Sequence, residues 1–438
     1  MSGIVGAVGE RAFEAVPRMS EILKHRGGVR RSLHGTLTDG TAYAVSALNR
    51  ATFSEASSSP SSAISVSDSF RAGYARARIV SSHVLVLDRD CLGLQPLFYG
   101  VNDDGSLCAF GSERKALWSV GIECTHRVDP RTMVIIREPR EIDVCKQRTL
   151  QLSHEEIAFG DESHAVTGLR NVLERVLNEM AHEQMSVAFS GGVDSSLLCM
   201  LMANPANNQY YAVGLSGSHD LDSAQHAARL LDVDLQTIEL AIGDVEMLIP
   251  RVMEAIESCS PLDIAIALPL YVLSEQAGAA GFTSILTGQG ADELFAGYSK
   301  YASLPSAASE TLRSALESDV LNIARDNLER DNLAVASHSL DVVLPYLDPR
   351  VVVFGLAIDS TLKLHNGINK YVLRKVAEQV MPHELAFRQK KAIQYGTGIS
   401  ATLQRLARKT NPPSGKTKGA LRLYLRSIAD KHDITVAE

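Results

Sequence analysis

Seven residues, Ser190–Ser196, carry the strongest chemical signal in the chain, because they combine two glycines, one aspartate and three serines. A mostly apolar run at 185–189 precedes them and a helix-like run at 197–202 follows. A glycine-rich turn between a strand and a helix presents backbone N–H groups and a positive helix end to an anion. No lysine follows the glycines, so the Walker pattern of γ-phosphate transfer is absent. The loop therefore predicts a nucleotide that is bound for loss of pyrophosphate.

The elements that must position this loop follow from the pattern beyond residue 160. Strands and helices alternate there, which predicts a parallel α/β sheet. Besides the strand at 185–189, apolar runs at 210–215 and 284–287 predict two more strands, and the last ends in Gly288–Glu293. Because ligands bind at the carboxyl ends of parallel strands, we expect these polar segments at one edge of the sheet.

Residues 1–150 are β-rich by pattern. Short apolar runs at 4–8, 42–45, 84–87 and 133–136 lie between polar turns and predict strands. A serine-rich stretch at 54–67 predicts a mobile loop, and 155–161 reads as a polar linker. The pattern thus predicts a first domain at 1–155 and a second at 160–438.

Composition narrows the class of protein. The net charge of −8, from 43 basic and 51 acidic residues, argues against a general nucleic-acid or membrane-surface binder. Six cysteines without a CxxC pair predict free thiols in a reducing compartment. The start lacks the features of a signal peptide, and no apolar run approaches the ~18–20 residues that span a bilayer. We expect a cytoplasmic enzyme with no nucleic-acid or membrane partner.

With these motifs in view, the chain resembles the asparagine synthetase family. The resemblance implies an Ntn-hydrolase-like α+β sandwich domain, derived from a glutamine amidotransferase, followed by an α/β parallel-sheet ATP-pyrophosphatase domain. Its motifs extend over most of the chain. They are Met1–Gly6, His25–Gly27, Arg89–Tyr99, Ser112–Leu117, Ser190–Ser196, Val213–Leu215, Thr287–Phe295, Leu344–Asp348 and Arg388–Lys390.

The resemblance also implies roles for single residues in a site for ATP and Mg²⁺. Lys390 is expected to offset charge on the α-phosphate and the leaving pyrophosphate. Asp194 and Asp292 are expected beside magnesium, although Asp292 and Glu293 also suit the start of a helix. Gln289 and Glu293 are expected near the reacting groups. The expected nucleotide contacts are Phe189, Ser190, Gly191, Gly192, Asp194, Ser195, Ser196, Val213, Thr287 and Gly288.

The N-terminal half departs from the family where glutamine is hydrolysed. Active members begin with Met–Cys, whereas this chain has Ser2, and a hydroxyl is far less acidic than a thiol of pKa about 8.5. The family's Asn–Gly–Glu and Gly–Asp segments, which bind glutamine, have no match between Ala42 and Asp88. Its Arg–Gly–Pro–Asp is altered at 26–29. We expect a domain that hydrolyses no glutamine.

A further departure lies in the C-terminal half. Family members that make asparagine carry Gly–Glu–Gly where this chain has Gly288–Gln289–Gly290, and the lactam-forming branch carries Tyr there. Gln289 takes no proton at neutral pH. Either it only positions substrate, or a base lies elsewhere, with Glu293, Glu329 and Asp331 as candidates, or the amine arrives neutral.

The favoured hypothesis is an ATP-dependent amide-forming ligase. A carboxylate, in the plainest case aspartate, becomes an acyl-AMP and is then attacked by ammonia or another amine. The apolar segment 260–269, with Asp263 as its only charge, weakens the case for aspartate. Alternatives are an amide or lactam synthetase for another carboxylate, an RNA-modifying enzyme and a non-catalytic nucleotide-binding homologue. The residues leave the oligomeric state open, a homodimer included.

Overall fold

The computed structural model describes residues 2–36, 41–55, 64–70, 73–80, 84–138, 141–146, 161–180, 184–202, 208–302, 309–388, 396–410 and 419–437. The chain divides into two compact units. Unit 1 comprises Met1–Gln151, Ala324–Asp341 and Ala437–Glu438, and unit 2 comprises Leu152–Ile323 and Val342–Val436. The predicted boundary between 155 and 160 stays a prediction. Unexpectedly, the segment Ala324–Asp341 groups with unit 1 rather than with the sequence around it.

The first part of the chain consists of short strands and two α-helices in the described residues. Each apolar run predicted there lies in a strand, which confirms those predictions. The elements are β1 (Ser2–Gly9), α1 (Ala12–Ile22), a 3₁₀ turn (Lys24–Arg26), β2 (Val29–Thr36), β3 (Ala42–Asn49), β4 (Thr52–Glu55), β5 (Ile64–Phe70), β6 (Gly73–Val80), β7 (Val84–Arg89), β8 (Phe98–Val101), β9 (Leu107–Gly111), α2 (Arg114–Trp118), β10 (Thr125–Arg127), β11 (Thr132–Glu138) and β12 (Glu141–Lys146).

Two antiparallel six-stranded sheets form unit 1, in the orders β10-β8-β9-β1-β3-β2 and β12-β11-β7-β6-β5-β4. Successive side chains of a strand point to opposite faces. Accordingly, Ile4 of β1 packs in the core with Leu87 of the other sheet, while the next residue, Val5, packs with Met19 of α1. The unit is thus a sandwich of two sheets covered by a helix, as the resemblance implied.

The serine-rich stretch is only partly described. Its two ends are strands: β4 pairs with β5 through Thr52–Ser67 and Glu55–Ile64. The prediction of a loop across 54–67 is therefore wrong at both ends, because the small residues alternate with Val66, which lies in the core. Residues 56–63 lie outside the described residues, as does most of the predicted linker at 155–161.

The second part of the chain alternates strands and helices, as its pattern predicted. Its elements are α3 (Glu162–Met180), β13 (Ser186–Ala188), α4 (Val193–Leu201), β14 (Gln209–Leu215), α5 (His219–Leu231), β15 (Leu235–Leu240), α6 (Ile242–Ile256), α7 (Pro261–Ala279), β16 (Ser284–Leu286), α8 (Ala291–Leu294), α9 (Ser299–Ala302), α10 (Ser309–Ile323), a π-helical turn (Ala324–Leu328), α11 (Glu329–Ala336), β17 (Asp341–Val343), a 3₁₀ turn (Pro345–Leu347), α12 (Pro349–Ala357), α13 (Ser360–Lys363), β18 (Leu364–His365), β19 (Ile368–Asn369), α14 (Tyr371–Glu378), α15 (His383–Ala386), α16 (Ile399–Thr410) and α17 (Ala420–Lys431).

The sheet of unit 2 has the order β15-β14-β13-β16-β17. Strand β13 pairs in parallel with both β14 and β16, and β14 pairs in parallel with β15. The chain order reverses between β13 and β16, and ligands of open parallel sheets bind at such a reversal. The predicted α/β parallel-sheet class is confirmed, and the loops that follow β13 and β16 are neighbours at one edge of the sheet.

In the part of the chain that the structure describes, no single helix is long and apolar enough to cross a membrane. The helices α6 and α7 pass that test of length and composition only as a pair, which is bent by 100°. All six cysteines are free thiols, as predicted.

Candidate active site

The loop after β13 gathers donors at the start of α4. The amide of Ser190 and its hydroxyl both lie 3.2 Å from Oγ of Ser195. Gly191 has φ +68°, and a Cβ there would lie 2.5 Å from the carbonyl oxygen of Ser223, so only glycine fits. The buried hydroxyl of Ser196 has no hydrogen-bond partner among the described residues. The sequence thus folds into a helix start with the unpaired hydroxyl of Ser196 in its first turn, and helix starts suit phosphate.

The loop after β16 packs directly against the first. A Cβ on Gly288 would lie 3.0 Å from the Cβ of Asp194, so the two strand ends are in contact. The amide of Thr287 donates to the carbonyl of Val343 at 3.1 Å, which ties the loop to β17. Gly290, with φ +95°, then turns the chain into α8, which carries Asp292 in its first turn.

A lysine that the sequence motifs did not single out joins these two loops. Nζ of Lys370 lies 2.8 and 2.7 Å from the carboxylate oxygens of Asp194. The same atom lies 2.6 Å from Oδ1 of Asp292. The hydroxyl of Tyr346 donates to the carbonyl oxygen of Asp194 at 3.0 Å, and burial keeps this phenol neutral by raising its pKa well above the ordinary value. Both predicted metal ligands are therefore held together by one ammonium group.

The backbone conformation of Lys370 and one backbone hydrogen bond fix its position. The residue lies at the start of α14 with φ +57°, and its amide donates to the carbonyl of Phe295 at 3.0 Å. Its side chain passes Gly297, where a Cβ would lie 2.2 Å from Cε of Lys370 and 1.8 Å from Oδ1 of Asp292. A cation at a helix start opposes the helix dipole. The two carboxylates that Lys370 contacts offset this unfavourable placement, which becomes apparent only in the folded chain.

The donor set fits magnesium that arrives with a nucleotide. Mg²⁺ prefers oxygen ligands and is commonly held by one or two carboxylates plus substrate phosphates. Asp194 and Asp292 supply two such carboxylates from two strand ends, beside the free donors of the first loop. Among the described residues, no group of three or more His, Cys, Asp or Glu side chains could hold a metal by itself.

The remaining predicted nucleotide contacts lie along the same edge. Phe189 is buried, and its amide donates to the carbonyl of Tyr211 at 2.8 Å. Val213 lies within β14, opposite Ile238. Lys390, the predicted cation for the α-phosphate, lies outside the described residues, and its role stays a prediction.

The two predicted groups for aminolysis differ in environment. Gln289 is half-buried, and its backbone N–H donates to Oγ1 of Thr287 at 3.4 Å. Glu293 is 2% exposed and accepts a hydrogen bond of 2.6 Å from Tyr298. Burial raises the pKa of Glu293, which brings it nearer to the range of a general base at neutral pH.

The other two base candidates are paired with arginine side chains, and their role stays a prediction. Oε1 of Glu329 lies 2.9 Å from Nη1 of Arg89 and 2.6 Å from Nε of Arg127, all within unit 1. The carboxylate of Asp331 pairs with Arg330 at 2.8 Å. Both carboxylates are thus paired with arginine, whereas Glu293 directly follows Asp292 in α8.

The segment 260–269 forms the start of α7 and is largely buried. Ser260 caps the helix, and Asp263 accepts a hydrogen bond of 3.0 Å from Ser258. Ile264 and Ala265 are buried. The single charge of the segment therefore stabilises a helix end, a role that the sequence alone did not distinguish from substrate binding.

In unit 1, Ser2 at the start of β1 is surrounded by buried polar side chains. The hydroxyl of Ser2 donates to Oδ1 of Asp68, and burial raises the pKa of this carboxyl. Nη1 of Arg26 donates to the carbonyl of Ser2 at 3.2 Å, and Nη2 donates to Asn332 at 2.9 Å. Ser2, Asp68 and Arg26 are each at most 1% exposed.

Glu113 completes this cluster. Its carboxylate pairs with Arg26, with His25 at 2.8 Å and with Lys115 at 2.7 Å. Burial acts to raise the pKa of Glu113, but His25, Lys115 and Arg26 together hold it well below the usual range. The buried carboxylate of Glu113 is thus paired with three cationic side chains of the same unit.

Several known proteins are similar to this chain in sequence. The family model of asparagine synthase matches residues 168–311 and 304–432. A protein of Methanocaldococcus jannaschii, provisionally named asparagine synthetase [glutamine-hydrolyzing] 1, is 31% identical over 75% of this chain and 69% of its own length. Asparagine synthetase B [glutamine-hydrolyzing] of Escherichia coli is 28% identical over 72% of this chain and 59% of its own length.

A solved structure, glutamine phosphoribosylpyrophosphate amidotransferase from B. subtilis complexed with ADP and GMP, matches 54% of this chain and 65% of that one, with 14% identity and a TM-score of 0.28. That similarity is too weak to inform function. The sequence relatives, in contrast, put the chain among carbon–nitrogen ligases. It belongs to the asparagine synthase family.

Proposed function

We propose that this protein activates a carboxylate with ATP, forms an acyl-AMP with release of pyrophosphate, and passes the acyl group to ammonia or an amine. The observation that supports this most is the meeting of the Ser190–Ser196 loop with Asp292 at the reversal point of a parallel sheet, with Lys370 between Asp194 and Asp292. Hydrogen-bond donors for phosphate, two carboxylates and a buried cation then lie side by side.

In this proposal the loop residues bind phosphate oxygens through backbone N–H groups and the hydroxyls of Ser190, Ser195 and Ser196. Lys370, and by prediction Lys390, stabilise the negative charge that develops as pyrophosphate leaves. Asp194 and Asp292 would hold magnesium, which when bound neutralises phosphate charge. The absence of a Walker lysine favours cleavage between the α- and β-phosphates.

For the second half of the reaction, we assign the proton acceptor to Glu293. Its buried carboxyl and raised pKa suit removal of a proton from the attacking amine. Gln289, at the position where the family's asparagine-forming members carry Glu, then orients the acyl group by hydrogen bonds.

The amine is proposed to be free ammonia or another amine rather than glutamine nitrogen. The relatives are named as glutamine-hydrolysing, but here Ser2 replaces the nucleophilic Cys. Among the described residues, Ser2 and the nearby Asp68, Arg26 and Glu113 are each at most 1% exposed. Aspartate is the first carboxylate to test, since it gives asparagine. A different carboxylate is the runner-up, because the segment 260–269 is mostly apolar, with Asp263 as its only charge.

The test is magnesium-dependent exchange of labelled pyrophosphate into ATP with a panel of carboxylates. The proposal expects exchange that needs one particular carboxylate and is lost in D194N. Ammonia, but not glutamine, should then convert that carboxylate into its amide. No exchange with any carboxylate, although ATP binds, would support the non-catalytic homologue instead.

A further inference from the structure

The ammonium of Lys370 occupies the position between two carboxylates where a divalent cation is expected. The side chain of Lys370 is 2% exposed, against 14% and 16% for Asp194 and Asp292. All three contacts of Nζ with these carboxylates are 2.8 Å or shorter. The two acidic groups are therefore already partly neutralised by the protein itself.

This arrangement is rigidly supported on both sides of Lys370. Nδ2 of Asn369 donates to the carbonyl of Tyr298 at 3.2 Å, and the buried Arg374 donates to the carbonyl of Asn369 at 2.7 Å. On the other side, the absence of a side chain at Gly297 leaves the gap through which the lysine passes. The lysine is thus directed to the carboxylates by the fold.

The charges then decide what can bind. A free divalent cation between Asp194 and Asp292 would have to displace an ammonium that is buried, and like charges in a poorly solvated site repel strongly. A metal–nucleotide complex differs, because its phosphates carry negative charge and offer the ammonium new partners.

We propose that Lys370 is the resident counter-cation of this site, which excludes free divalent cations and moves its ammonium to phosphate oxygens when a metal–nucleotide complex enters. The inference rests on the proposed function in one respect, namely that the ligand is a nucleotide with its metal. Metal and nucleotide then bind together, and metal alone does not bind.

The experiment measures binding of Mn²⁺ alone by electron paramagnetic resonance, without nucleotide or carboxylate. Wild type should show no stoichiometric Mn²⁺ site. K370M should bind one Mn²⁺ with a Kd at least tenfold lower than that of any binding to wild type. The matched control is K375M, which removes a half-buried lysine of the same helix that pairs with Glu378, and it should behave as wild type. The double variant D194N/K370M should lose the site again.

Two outcomes would overturn the proposal. One is tight stoichiometric binding of Mn²⁺ alone to wild type. The other is a folded K370M, or its alternative K370Q, that still binds no Mn²⁺ alone. Because K370M could fail to fold, near-ultraviolet circular dichroism checks each variant, and wild type with Mn²⁺ and α,β-methylene-ATP supplies the second arm: Mn²⁺ should bind only when the analogue is present. Failure of pyrophosphate exchange would overturn the proposed function but leave these measurements interpretable.

Discussion

Two buried ionic clusters sit at strand ends of this chain, and they differ in what they leave available. In unit 1, Arg26, Glu113 and Asp68 are at most 1% exposed, and their partners are other protein groups. In unit 2, the carboxylates beside Lys370 keep 14% and 16% of their side-chain surface, and Ser190 next to them is exposed. We call the first the closed cluster, because its charged groups are buried and bond to other protein groups, and the second the open cluster, because its carboxylates keep exposed surface beside the Ser190–Ser196 loop.

The contrast agrees with the proposal that the nucleotide site is retained while glutamine hydrolysis is lost. Buried charges are costly unless they are paired, so a vacated polar pocket is stable only when neighbouring groups fill it. One partner of the buried Arg26 is Asn332, which lies far along the chain but within unit 1. A nucleotide site must instead remain partly open.

The largest expected effect tests the closed cluster. Arg26→Met leaves the buried Glu113 without its guanidinium partner, and we expect unfolding free energy to fall by about 3–5 kcal/mol. Urea denaturation measures it. The control is Lys24→Ala, at an exposed ion pair with Glu21, which should cause no measurable change. Equal stability of R26M and wild type would mean that the cluster does not hold unit 1 together.

The next effect tests the open cluster. Asp194→Asn and Asp292→Asn should each lower the rate of pyrophosphate exchange by about 10²–10³, the usual loss when one charge-stabilising group is removed. Asp430→Asn, at an exposed carboxylate, is the control and should leave the rate unchanged. Full activity of D194N would remove the two aspartates from the site.

Gly297→Ala should have a slightly smaller effect on exchange, about 10²-fold, since a shift of about 1 Å in a catalytic group has that consequence. The added Cβ would displace Lys370 or Asp292. The control is Gly243→Ala, at a helical glycine with nothing within 4 Å, which should keep full activity. If G297A exchanges pyrophosphate as fast as wild type, the path of the lysine past this glycine is unimportant.

Acid stability gives a subtler difference between the clusters. The pKa of Glu113 is depressed in the folded state, so its stabilisation is complete above its unfolded value of about 4.3 and is lost as pH falls through the folded value. Burial raises the pKa of Asp68 and Glu293, which therefore act in the opposite direction. Urea midpoints of wild type and E113Q between pH 3 and 7 should thus converge toward low pH. A constant difference would contradict this sign.

The last variant is expected to change neither glutamine hydrolysis nor pyrophosphate exchange. Ser2→Cys restores a thiol but not a pocket, so purified S2C should release no ammonia from glutamine and should keep wild-type pyrophosphate exchange. Ammonia release by S2C would show that only the nucleophile was lost, and release by wild type that nothing was lost.

The sequence predicted strands of the first domain, the parallel sheet of the second domain and the glycine-rich loop, because period-two and βα patterns are local. It also brought Asp194 and Asp292 together through parallel strand ends. It missed Lys370, since the turn at 366–369 and the gap at Gly297 are properties of the folded chain. Nor did it indicate that Glu329 pairs with Arg89, because these two residues lie far apart in the chain. Local sequence patterns do not predict which side chains from distant parts of the chain will pair.

The central claim is that the open cluster activates a carboxylate at the α-phosphate of ATP. It is tested most directly with a carboxylate labelled with ¹⁸O, together with ATP, Mg²⁺ and ammonia, followed by mass spectrometry of the nucleotide product. We predict AMP that carries one ¹⁸O atom, since the carboxylate oxygen stays on phosphorus when the amine attacks the acyl carbon. ADP, or AMP without label, would contradict the account.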